Sequence, residues 1–137
     1  MAAQTSTAIK TFGSVFSNEE GYVKLTWDQA VDGGEADDSV RIGQALAGVV
    51  VTRAIVHVET ACAGASGTAI IGIEGGDTDA FLDVTSGAVA NLTENATFCE
   101  TLTCFPYIAA DSYVAIDIAT TDFSAGKIHV HLWYVNA

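Results

Sequence analysis

The sequence predicts an all-β chain, with two antiparallel sheets packed face to face as a sandwich. Three observations lead there. Apolar and polar residues alternate with a period of two through several segments, the pattern of half-buried strands. The alternating positions hold many β-branched and aromatic residues, which suit a pleated surface better than a helix. The segments are closely spaced, with Gly-, Ser- and Asp-rich separators too short for helical crossovers. Such spacing marks sandwiches rather than parallel α/β sheets. About seven or eight strands result, with a jelly roll as the favoured arrangement. An immunoglobulin-like sandwich is the second choice, and the chain carries no Cys–Trp–Cys arrangement to support it.

Residues 1–20 are read apart from residues 21–137, which form a single sandwich domain. Met1–Ser17 is rich in Ala, Thr and Ser, with scattered Ile9, Phe12, Val15 and Phe16. It reads either as a first strand or as an arm that pairs with a neighbour's sheet edge, where backbone hydrogen bonds supply affinity. Tyr22–Trp27 sets Val23, Leu25 and Trp27 against Tyr22, Lys24 and Thr26. Ser39–Gln44 is a shorter candidate. Val49–Thr60 sets Val50, Ala54, Val56 and Val58 against Arg53, His57 and Glu59. Thr68–Ile73 is a short apolar run that reads as buried on both sides.

The stretch from Gly76 to Asp83 fits a short helical turn near 78–83, capped by Asp77 or Thr78. It would drop Phe81 and Leu82 onto the open end of the sandwich. Ala96–Thr103 is another short strand candidate, and the only proline, Pro106, marks a strand end, an edge or a turn. Tyr113–Ala119 sets Val114, Ile116 and Ile118 against Tyr113, Ala115 and Asp117. The clearest strand is Lys127–Val135, with Ile128, Val130, Leu132 and Tyr134 on one face and Lys127, His129, His131 and Trp133 on the other.

Composition bounds the function. Five basic residues face 17 acidic ones, for a net charge of −12. Such a surface repels phosphate and anionic lipid, so neither nucleic acid nor membrane is an expected partner. Half of the residues are hydrophobic and 16% are charged, which excludes disorder. The longest apolar stretch, Ala45–Val51, is too short to span a membrane, and Met1–Ser14 shows no secretory signal. Cys62, Cys99 and Cys104 lack zinc-site spacing and read as three small buried thiols in a reducing compartment.

Two groups are candidates for metal. His129 and His131, two apart on a strand, project from one face, and His57 would supply a third ligand. Asp77, Asp79 and Asp83 offer hard oxygens at short spacing, as calcium prefers, although the spacing departs from an EF-hand. The simpler reading of both is solvated or interface residues, so no cofactor is expected. Asp32, Glu35, Asp37 and Asp38 form a second acidic loop. No nucleophile elbow, phosphate loop or dinucleotide fingerprint is present, and no enzyme is expected. A carbohydrate-binding sandwich is the competing reading, using Trp27, Trp133 and Tyr113 as stacking surfaces.

Gly48-Val49-Val50-Val51-Thr52-Arg53-Ala54-Ile55-Val56-His57-Val58-Glu59-Thr60-Ala61 leads through a Gly/Ala/Ser loop into Ile70-Ile71-Gly72-Ile73. Gly75-Gly76-Asp77-Thr78-Asp79-Ala80-Phe81-Leu82 follows. This order of parts, over Gly48–Asp83 and more loosely Lys127–Val135, resembles small β-sandwich head decoration or cement proteins of tailed bacteriophages. The resemblance implies a homo-oligomer, a trimer, seated on the capsid surface of a virion assembled in the host cytoplasm. It implies the major capsid protein as partner and a role in clamping the shell, with a neck or tail subunit as the nearest alternative. It brings no catalytic residues. Ile9, Phe12, Phe16, Tyr22, Ile55 and Trp133 are the candidate interface residues, since large apolar and aromatic groups are favoured there.

Overall fold

The computed structural model describes residues 3–13, 20–99 and 107–136. Within them the chain forms eight strands: β1 (Ala3–Phe12), β2 (Gly21–Asp28), β3 (Ser39–Ala45), β4 (Val49–Ala63), β5 (Thr68–Ile73), β6 (Thr97–Phe98), β7 (Ser112–Ala119) and β8 (Ala125–Asn136). One helical turn, α1 (Gln29–Asp32), follows β2, and a 3-10 turn covers Val89–Asn91. Odd-numbered strands make one sheet, in the order β1-β3-β7-β5, and even-numbered strands the other, β2-β8-β4-β6. Each strand-to-strand connection therefore crosses the sandwich. The predicted two-sheet β sandwich is what the chain forms. The pair β1–β3 runs parallel, which departs from the all-antiparallel pairing expected; the other ladders are antiparallel.

The alternation read from the sequence sets the core. Val23, Leu25 and Trp27 of β2, Val114, Ile116 and Ile118 of β7, and Ile128, Val130 and Leu132 of β8 all point inward and are buried. Trp27 is fully buried, donates its indole N–H to the Gly33 carbonyl at 2.9 Å and meets Phe123 edge-on at 6.0 Å. Gly43 of β3 sits opposite Leu25, where a Cβ would press on the leucine methyls, so a glycine there lets the sheets close up.

β4 departs from simple alternation. Val49 and Val51 are buried before Thr52, and Ala54, Val56 and Val58 after it, while Val50 is only half-buried. The pairing with β8 shifts between Val51 and Arg53. One extra residue flips the parity of everything beyond it, which is why counting in twos placed Val50 on the wrong face.

β5 lies at a sheet edge, and an unpaired edge invites foreign strands. Residues 77–88 cover it. The amides of Ala69, Ile71 and Ile73 donate to the carbonyls of Gly87, Leu82 and Asp77 at 2.9, 3.1 and 2.9 Å. Phe81 and Leu82 anchor this cover in the core. The helical turn expected near 78–83 is instead a hydrogen-bonded turn, because these backbone groups pair with β5 rather than with one another. Among the described residues an α-helical turn lies at α1, capped by the Asp28 carboxylate, which accepts from the Ala30 amide at 3.1 Å.

Ala3–Phe12 is an edge strand of this domain. Its pairing with β3 skips from Thr5 to Lys10, so Ser6–Ile9 bulge, with the Ser6 hydroxyl accepting from the Ala8 amide at 3.1 Å. Cys62 is half-buried, and burial pushes its thiol pKa up to about 12. Cys99 is exposed just beyond the two-residue β6, which corrects the expectation of a buried thiol; Cys104 lies outside the described residues. Among the described residues no helix is long and apolar enough to cross a membrane.

Candidate functional site

The outer face of the β2-β8-β4-β6 sheet gathers half of the candidate metal and interface residues named from the sequence. β8 runs down its middle, with antiparallel neighbours on both sides, so outward residues fall into rows. Tyr22, Trp133 and Arg53 form the first row; Lys24, His131 and Ile55 the second; Thr26, His129, His57 and Thr97 the third. Asp28 and Lys127 form the fourth, with Glu59 reaching Lys127 at 3.0 Å.

Rings line this face. Trp133 is tilted against Tyr22 at 5.1 Å, and the Arg53 guanidinium lies 4.4 Å over the Trp133 ring. Tyr22 stacks near His131, and its hydroxyl is 2.6 Å from His131 Nδ1. His57 and His129 stack at 6.2 Å, and His129 Nδ1 lies 2.9 Å from the Thr26 hydroxyl. His129 Nε2 is 3.6 Å from Glu59.

The titration of the histidines follows from these neighbours. Burial, then the Lys24 charge, holds His129 below the ordinary imidazole value, against an upward pull from Glu59. Burial, then His129 and Lys24, does the same to His131. Glu59 itself is held below the usual carboxylate range by its hydrogen bond to Lys127.

The metal candidates lie on this face and in the cover of β5. The sheet brings His57, His129 and His131 to one face, but their rings lie side by side instead of converging on a point, and Thr26 and Tyr22 engage two of the ring nitrogens. Asp77, Asp79 and Asp83 stay in the cover of β5. Among the described residues no three His, Cys, Asp or Glu side chains are placed to hold a metal ion.

The interface candidates separate. Tyr22 is 50% exposed, and Ile55 and Trp133 are half-buried on the same outer face. Ile9 is half-buried in the β1 bulge. Phe12 is 3% exposed and packs on Tyr134 at 5.2 Å, so it belongs to the core, because the last residues of β1 turn inward where they pair with β3. Phe16 lies outside the described residues. Trp27 is lost to the carbohydrate reading, since the core encloses it. Tyr113 lies under the Arg41 guanidinium at 4.2 Å.

Sequence reading overlooked the positive charge of this face. Lys24, Arg53 and Lys127 are three of the chain's five basic residues, and they meet here because β2, β8 and β4 are neighbours. Lys127 is paired to Glu59, and Arg41, on the other sheet, is held by Glu74 at 2.6 Å. Among the described residues neither Lys24 nor Arg53 has an ion pair. Their shared parity with the histidines was visible; the strand order that unites them was not.

No family model matches the chain, and no curated protein matches it. Solved structures do. A chain of the capsid of Ralstonia phage GP4 superposes with a TM-score of 0.68 at 15% identity, covering 99% of both chains. A chain of the cyanophage Pam1 capsid asymmetric unit gives 0.65 at 15% identity, over 91% of this chain and 90% of that one. A chain of the acidic stable capsid of Helicobacter pylori bacteriophage KHP30 gives 0.60 at 11% identity, over 85% and 86%. The resemblance to phage head proteins read from the sequence is thus shown at the level of fold, over nearly the whole length of the chain.

Proposed function

We propose that this chain is a structural subunit of a phage capsid, and within the capsid a decoration or cement protein. It sits on the outer surface as a homo-oligomer, a trimer, and bridges major capsid proteins. The observation that carries the reading is end-to-end likeness of fold to a phage capsid chain, with 99% of each chain covered. The reading includes no catalysis.

The test is direct. Mass spectrometry of purified virions should find the protein at a stoichiometry matching the capsid lattice, and cryo-electron microscopy should place it outside the shell. Particles lacking it should release DNA at lower temperature. Its absence from purified particles would end the proposal; its presence only at the neck or tail would move it to that alternative.

One observation favours a second reading. Tyr22 and Trp133, 5.1 Å apart, form an aromatic surface on which a sugar ring would stack. Trp27 no longer contributes to it, and Arg53 covers part of Trp133. A blank glycan array would remove this reading.

A further inference from the structure

We propose that the Tyr22–Lys24–Arg53–Trp133 patch is a docking site for the acidic knob at Asp77 and Asp79 of a second copy of this chain. The proposal deepens the homo-oligomeric part of the reading above. Its basis is the distribution of charge in a chain of net −12. Copies with that charge repel one another at random approach. An attractive contact must therefore use the few cations, and those free of an ion pair on this sheet stand together: Lys24 and Arg53, beside an exposed Tyr22 and the half-buried Ile55 and Trp133.

The knob is the complementary half. Asp77 and Asp79 are both exposed, and the turn that carries them is held rigidly: the Ile73 amide donates to the Asp77 carbonyl, and Phe81 and Leu82 anchor the following residues. Among the described residues no cation pairs with either carboxylate. Their contact lifts Asp79 above its ordinary value, first through its hydrogen bond with Asp77; a cation would relieve it. Asp38 accepts from Gln4, Asp111 from the Ala47 amide and Asp122 from the Ala36 amide, and the Asp77 carboxylate itself accepts from the Asp79 amide at 3.4 Å, which fixes its place in the turn.

Exposed apolar groups accompany both halves. Tyr107, 61% exposed, borders the hollow containing Asp77, and Val84, 55% exposed, borders the groove containing Asp79. Charge flanked by exposed apolar residues is the make-up of a protein interface. The patch lies on the outer face of one sheet and the knob covers the β5 edge of the other. The two cannot meet within one chain, and a contact between different surfaces of identical copies is head-to-tail, which closes into a ring when the rotation allows.

Sedimentation velocity of the full chain tests this, with thermal melts to confirm that each variant is folded. Wild type should self-associate, and more weakly at about 1 M salt, where the screening length falls to about 3 Å. Lys24→Glu/Arg53→Glu and Asp77→Lys/Asp79→Lys should each weaken association by at least about tenfold, since like charges then meet. An equimolar mixture of the two variants should restore association, because both contacts between unlike variants are complementary and only those between like variants stay repulsive; a closed trimer, which cannot alternate, regains only part of it. A monomeric wild type, or an oligomer indifferent to both reversals, overturns the proposal. So does a monomer whose Lys24→Glu/Arg53→Glu variant loses capsid attachment, since the face would then belong to the capsid protein. No virion is needed to read self-association, so its failure leaves the capsid reading standing, and the reverse also holds.

Discussion

Replacing Gly87 by alanine tests how the β5 edge is protected. A Cβ at Gly87 would overlap the Ala69 carbonyl oxygen and crowd the Asp83 carbonyl. Both are backbone atoms, so no side chain can rotate away and the cover must lift. Lifting it breaks the bond from the Ala69 amide to the Gly87 carbonyl and strains the neighbouring Ile71–Leu82 pair. Two or three backbone bonds at roughly 1 kcal/mol each, with steric cost partly relieved by the movement, give about 2–4 kcal/mol. For a domain of this size, about 3–5 °C of melting temperature follows each kcal/mol, so Gly87→Ala should melt roughly 10 °C lower. The exposed edge should also raise aggregation. Gly76→Ala is the control in the same segment: its nearest neighbour would be Ile73 at 3.6 Å, an ordinary contact, and its φ is not positive. It should melt within a few degrees of wild type. Differential scanning calorimetry on both variants decides. Equal melting temperatures for Gly87→Ala and wild type would show that the cover is not pinned at Gly87, and the argument for edge protection fails with it.

Three other perturbations have defined outcomes. In a Cys104→Ser background at pH 8, a thiol reagent should modify exposed Cys99 quickly and Cys62 at least about a hundredfold more slowly, because a thiol with pKa near 12 is almost wholly protonated; equal rates would contradict the burial of Cys62. Thr120 has φ 75° in a three-residue turn closed by the Thr121 amide on the Ala119 carbonyl, a strained setting for a β-branched residue, so Thr120→Gly should raise the melting temperature by a few degrees, and a lower value would refute the strain. His129 and His131 have folded pKa values depressed below the unfolded value of about 6.5. Their neutral forms therefore stabilise the fold fully above about pH 7, and that contribution is lost as pH falls through the unfolded and then the folded pKa. Lys24, Lys127 and His57 oppose protonation and Glu59 favours it, so urea unfolding of the monomer between pH 7.5 and 5.5 should show a slope that His129→Gln/His131→Gln reduces; an unchanged slope would assign it elsewhere.

The strands were legible because alternation is local. Val23, Leu25 and Trp27, or Ile128, Val130 and Leu132, announce a buried face from adjacent residues alone. Even the descent of Phe81 and Leu82 into the core could be read, although the turn carrying them is not helical. Two kinds of feature escaped. A bulge such as Thr52 inverts parity without any composition signal, and a position near a strand end, such as Phe12, takes its burial from the neighbour it meets. The candidate site escaped for the same reason on a larger scale. His129 and His131 were visibly on one face of β8, but Lys24 and Arg53 lie about a hundred and about eighty residues earlier in the chain, beyond the reach of any local pattern.

Sequence alone therefore determined the all-β class, most of the inward residues and a net negative charge, since each depends on composition or on neighbours along the chain. Strand order, the parallel β1–β3 pair and the cover over β5 were decided only by the tertiary structure. So was the cationic, aromatic face. These depend on which distant segments pair, and pairing is chosen by the joint burial of both sheets' apolar faces rather than by any one strand.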